Sequence, residues 1–165
     1  MRPMKVLCAA VLAASLFIAG CAVPTRVPTA NQSEISLWRG RLAVRVESDQ
    51  PQSLAAGFEL TGNALAGELI LYTPLGTTAA ALSWSSHTAL MRANGDVRHF
   101  DSLDALIKQA LGTEIPVVAL FAWLAGDHMA AEGWTADLSQ HANGRITARR
   151  TTPAPLAELR LVLEP

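Results

Sequence analysis

Four histidines, two cysteines and a group of arginines are the side chains of this sequence with the chemistry to react or to hold a ligand. His87, His99, His128 and His141 are separated by 12, 29 and 13 residues. None of these intervals puts two imidazoles on one helical face around a metal. His99, Asp101 and Ser102 offer the residue types of a nucleophilic triad. They stand, however, where a strand gives way to a helix, and Asp and Ser are the side chains that cap a helix there. Capping is the stronger account. Neither a Gly-Lys-Ser phosphate loop nor a nucleophile elbow occurs, and Gly133 and Gly144 stand singly in turns. Arg39, Arg41 and Arg45 have the means to meet a phosphate or an acidic partner, but a solvated strand face is the stronger account. No catalytic residue, metal or cofactor is expected, and a periplasmic hydrolase stands as a remote alternative.

Cys21 is a different case. It follows Ile18-Ala19-Gly20, and before these Val6 to Ala19 form a 14-residue run without a charge, preceded by Arg2 and Lys5. At about 1.5 Å per helical residue such a run falls short of a ~30 Å hydrocarbon core, so it reads as a secretory leader. The small residues at 19 and 20 give a peptidase access to the backbone, and the whole stretch resembles the lipobox of bacterial lipoproteins. That resemblance implies a diacylglycerol on the Cys21 sulfur and a third acyl chain on the new amino terminus. One chain anchors a protein only marginally, whereas three make a stable anchor. Ala22, rather than Asp, follows the cysteine, as in lipoproteins sorted to the outer membrane of Gram-negative bacteria. The expected organisation is a leader over 1–20, a lipidated flexible tether over 21–36 and one domain over 37–165. The tether would average roughly 20 Å and could not exceed about 50 Å.

Two of the 13 basic side chains, Arg2 and Lys5, leave with the leader, so 11 face 14 acidic ones, a net charge of −3. Nucleic acid is excluded as a partner on that balance. Cys8 leaves as well and Cys21 is spent on lipid, which excludes disulfide and thiolate chemistry. The 129 residues from Leu37 onward suffice for a single core.

The elements that fill this domain are mostly strands. Leu42, Val44 and Val46 alternate with Arg41, Arg45 and Glu47, and Ala56, Phe58 and Leu60 alternate with Gly57 and Glu59. Glu68 to Tyr72 and Thr77 to Trp84 flank Thr73-Pro74-Leu75-Gly76, which has proline and glycine where a tight turn needs them. Thr88 to Ala93 and Asp96 to Phe100 flank Asn94-Gly95, a hairpin pair. Leu103, Leu106, Ile107, Ala110 and Leu111 then follow helical spacing up to Gly112. Pro116 opens a second helix, Val117 to Leu124, that is apolar nearly all round. Strands resume at Trp134 to Ser139, Arg145 to Arg150 and Leu159 to Leu163. The total is about eight to ten antiparallel strands with a helical pair inserted after the sixth.

A bent antiparallel sheet of this size encloses an interior, and helices across its mouth form a lid. The candidate lining is Leu42, Val44, Val46, Phe58, Leu60, Leu69, Leu71, Leu82, Leu106, Leu120, Trp123 and Leu161. Such an interior suits acyl chains, whose burial is worth about 0.8 kcal/mol per methylene. Periodicity describes a filled core equally well and by itself favours one.

Several stretches together resemble the LolB family of outer-membrane lipoprotein receptors. They are Gly40-Arg41-Leu42-Ala43-Val44-Arg45, Gly67 to Gly76, Leu111-Gly112, Ile115-Pro116-Val117, Trp123-Leu124-Ala125-Gly126 and Leu159-Arg160-Leu161. The resemblance implies an open, incomplete antiparallel β-barrel with an α-helical lid around a hydrophobic cavity. It also implies a function: accepting acylated lipoproteins from the periplasmic carrier LolA and inserting them into the inner leaflet of the outer membrane. Partners would then be LolA, lipoprotein cargo and outer-membrane lipids, with the protein a lipid-anchored monomer facing the periplasm. In the family the Pro-Leu-Gly turn carries an exposed leucine that engages the membrane, and Pro74, Leu75 and Gly76 match it. The competing account for Leu75 is a leucine folded back onto its hairpin. A lipoprotein of structural or assembly role is the alternative function.

Overall fold

The computed structural model describes residues 36–165; the leader, Cys21 and most of the expected tether lie outside the described residues. Nine strands form one antiparallel sheet in the order β6-β5-β4-β3-β2-β1-β9-β8-β7. In chain order these are β1 (Ser36–Glu47), β2 (Gln52–Gly62), β3 (Gly67–Tyr72), β4 (Thr78–Trp84), β5 (Ala89–Ala93), β6 (Asp96–Phe100), β7 (Trp134–Asp137), β8 (Arg145–Arg150) and β9 (Leu156–Leu163). The first six run as a meander. Its tightest link, Asn94-Gly95, has both residues at positive φ, 54° and 85°, as a two-residue hairpin requires.

The last strand returns to the first, with Leu42 opposite Leu161 and Val44 opposite Leu159. The sheet thus has β1 in its interior and stays open between its edges β6 and β7. Strands β1 and β9 approach so closely at Gly40 that a Cβ there would collide with the Val162 carbonyl oxygen. Alternation sorts the two faces. Leu42, Val44, Val46, Phe58, Leu60, Leu69, Leu71, Leu82, Ile146, Leu159 and Leu161 are buried inward, while Arg41, Arg45, Glu68, Arg145 and Arg160 point to solvent.

Two helices, α1 (Leu103–Leu111) and α2 (Val117–Ala125), connect β6 to β7 and bury their apolar sides against the inner face. Ser102 caps α1, its hydroxyl accepting from the Ala105 N–H at 3.1 Å, and Gly112 ends it at φ 76°. Ser102 is therefore committed to the helix, and His99 sits exposed on β6, so the triad reading has no geometry behind it. Helix α2 ends in a paired cap, with Gly126 N–H donating to Trp123 O and Asp127 N–H to Ala122 O. Among the described residues no helix is long and apolar enough to cross a membrane.

Candidate lipid-handling site

Between the inner face of the sheet and the two helices lies a space lined entirely by hydrocarbon and aromatic side chains. Leu42, Phe58, Leu60, Leu69, Leu120 and Leu161 of the candidate lining border it. Val44, Val46, Leu71, Leu82, Leu106 and Trp123 lie elsewhere in the same buried cluster. The space also touches residues outside the candidate lining: Trp84, Ile107, Leu111, Ile115, Val117, Phe121, Leu124 and Leu159. Trp84 and Leu159 carried a signal in the alternation of their own strands, and Ile107 and Leu111 in helical spacing. Ile115 sits between the helices and carried none.

The space measures about 30 Å³, room for no more than a few water molecules and far too little for an acyl chain. The open, incomplete barrel with its helical lid is as expected, and in this conformation the apolar space inside it is narrow. The reason is α2. Being apolar on nearly every side, it sinks Val117, Ala119, Trp123 and Leu124 into the core, and its half-buried Leu120 and Phe121 meet the sheet. Phe121 stands edge-on to Trp38 and to Trp84, with ring centroids 5.4 and 6.5 Å away. Trp84 is held in turn by its indole N–H, which donates to the Asn63 carbonyl at 2.9 Å. The α1–α2 connection contributes one oddity: Thr113 is buried, and its hydroxyl has no hydrogen-bond partner.

The turn joining β3 and β4 is rigid. Gly76 N–H donates to Thr73 O at 2.9 Å, Thr73 N–H donates to Thr77 O at 2.8 Å, and the two threonine hydroxyls lie 2.8 Å apart. Pro74 fixes one φ and Gly76 supplies the positive one, 80°. Leu75 is consequently held outward at 92% exposure, the highest among the exposed large hydrophobic residues described. It does not fold back onto its hairpin.

With an apolar interior under two helices and a leucine fixed at a hairpin tip, the arrangement can be compared with known proteins. A family model described as "Outer membrane lipoprotein LolB" matches residues 37–153. The chain belongs to the LolB family.

Relatives named outer-membrane lipoprotein LolB include that of Bordetella petrii, 30% identical over an alignment 179 positions long that covers 92% of this chain and 90% of the relative. That of Bordetella pertussis is 36% identical over 172 positions, covering 88% and 86%, and that of Cupriavidus metallidurans is 32% identical over 149 positions, covering 87% and 71%. The family match spans β1 to β8, the helical pair and the Leu75 turn, and ends just before β9.

The polar groups of this LolB-family domain serve its architecture. Arg39 pairs with Glu59 and Lys108 with Glu114 across exposed surface, at 2.8 and 2.7 Å. The Glu59 hydrogen bond and charge raise the Arg39 pKa, and Lys108 lowers that of Glu114. His141 Nε2 lies 3.0 Å from the Leu124 carbonyl and so ties the end of α2 to the turn before β8. Among the described residues no group of three or more His, Cys, Asp or Glu could hold a metal ion.

Proposed function

We propose that this protein receives acylated lipoproteins from the periplasmic carrier LolA, shelters their acyl chains between the sheet and the helices, and delivers them to the outer membrane through the Leu75 turn. As a member of the LolB family it is an outer-membrane lipoprotein receptor and not an enzyme. It would work as a monomer, anchored at Cys21 and facing the periplasm. The observation that carries the reading is Leu75, a large apolar side chain kept in solvent by a turn with three internal hydrogen bonds.

Energetics support transfer by affinity alone. Taking a sixteen-carbon chain out of water is worth about 12 kcal/mol, so a chain never leaves one apolar site except for another. Exchange between two such sites is nearly balanced, and a small difference in affinity sets its direction. In this scheme LolA holds the chains less tightly than this domain does, and the bilayer holds them more tightly. Since the closed space is about 30 Å³, uptake requires α2 to move outward.

The test is Leu75→Glu in a transfer assay from LolA to liposomes. A carboxylate at the tip resists entering hydrocarbon. Uptake from LolA should stay near the wild-type level while release into liposomes falls by at least tenfold. Wild-type release by the variant would refute the role of the turn.

A further inference from the structure

The outer face of the sheet carries a groove of about 630 Å³, separate from the apolar interior and within the size range of small-ligand sites. Pairing of Arg41 with Gly57 and of Ala43 with Ala55 brings small residues together, which leaves its floor low. One wall is Tyr72, Thr73 and Pro74, the flank of the Leu75 turn; the other is Arg160 and Val162 of β9 with Glu164 just past its end. Arg41 rises from the floor into solvent, and none of the ion pairs among the described residues includes it. Arg160 beside it is half-neutralised by Glu158 at 2.7 Å.

We propose that this groove binds the phosphate of an anionic phospholipid headgroup, with Arg41 as the principal cation and Arg160 as the second. The proposal rests on the reading that Leu75 enters the bilayer. An apolar side chain that enters from an interfacial element sits about 5–10 Å into the headgroup and acyl boundary. The groove shares a wall with the turn, so its opening comes to headgroup depth when the tip is inserted. A guanidinium matches phosphate geometry with two parallel N–H donors, and among the described residues no carboxylate forms an ion pair with Arg41. The opposite surface charge, Glu164, stands on the β9 wall away from the turn. One leucine alone partitions a protein onto a bilayer by roughly tenfold to a hundredfold. An arginine at an anionic surface multiplies this roughly fivefold and makes it depend on lipid charge.

The experiment uses the chain from residue 21 with Cys21→Ala, so that acyl chains do not hold it to the vesicle. Co-sedimentation is measured with vesicles of phosphatidylcholine alone and of phosphatidylcholine with phosphatidylglycerol. Arg41→Gln should weaken binding to the phosphatidylglycerol vesicles about fivefold, leave binding to neutral vesicles unchanged, and lose its effect in high salt. Arg41→Lys should retain most of the binding. Leu75→Glu should lose binding to both vesicles. If Arg41→Gln matches wild type on both vesicles, or loses equally on both, while Leu75→Glu still abolishes binding, the groove proposal fails and the turn stands. If Leu75→Glu binds as well as wild type, the reading beneath the proposal fails. Reduced uptake from LolA in Arg41→Gln with normal vesicle binding would assign the groove to a protein partner and overturn the proposal.

Discussion

Glu158 on the outer face of β9 holds Arg149 on one carboxylate oxygen and Arg160 on the other, at 2.8 and 2.7 Å. Burial opposes its charge, but the two guanidinium hydrogen bonds outweigh burial and keep its pKa below the ordinary 4.5. A carboxyl lowered by folding contributes stability that is complete above its unfolded value and is lost as pH falls through its folded one. Glu158→Gln should therefore lower the urea midpoint near neutral pH, and the gap to wild type should close in acid below the carboxylate range. A gap independent of pH would show that the carboxylate charge is not the cause. Residues differ in how legible they are. Leu75 could be located from Thr73-Pro74-Leu75-Gly76 between two strand patterns, because proline and glycine specify the turn. Its exposure could not be, since apolar residues near turns also fold back, and the decision rests on the Thr73–Thr77 bonds. The ring of Trp38, which meets Phe121, was missed because β1 begins at Ser36, ahead of the clear alternation from Arg41.

At the scale of elements, the helical pair decides whether the interior is open. Apolar residues on every side of α2 made its burial legible, and Gly112 and Gly126 marked where the helices end. Closure to about 30 Å³ was not legible, because it depends on Ile115, Leu120 and Phe121 meeting strands far away in sequence. Two features favour opening from this closed state. Phe121 is only half-buried and is held mainly by edge contacts worth about 0.5–1.5 kcal/mol per aromatic pair. Thr113, with its unpartnered hydroxyl, costs the closed form about 1–3 kcal/mol. Phe121→Ala should therefore speed uptake of a fluorescent fatty acid several-fold, at a stability cost below the 3–5 kcal/mol of a fully buried phenylalanine. Thr113→Val should do the reverse, raising the unfolding midpoint and slowing uptake, as read by stopped-flow fluorescence and denaturant titration. Identical uptake rates in both variants would place the route of entry elsewhere.

The described domain is a sheet whose first strand lies in its interior, flanked by the second and the last. Alternation specified which face each strand buries but not which neighbour it takes, so the pairing of β9 with β1 became visible only in the structure. That order has a consequence for anchoring. Ser36 pairs with Gly62 at one end of β3, while Leu75 caps the other. Six strand residues separate the two ends by about 20 Å, within the reach of about 50 Å that the proposed tether over 21–36 would have if fully extended. The proposed anchor at Cys21 and the proposed entry of Leu75 into the same membrane are thus compatible in reach. The central claim is that the inner face of this sheet receives the acyl chains of cargo. The most direct measurement places the photocrosslinker p-benzoylphenylalanine at Phe58, which lines the closed space, or at Glu59, the next residue along β2 on the opposite face. After transfer of a lipoprotein with labelled acyl chains from LolA, irradiation should join the label to position 58 and leave position 59 at background. Labelling at 59 equal to or above that at 58 would contradict the account.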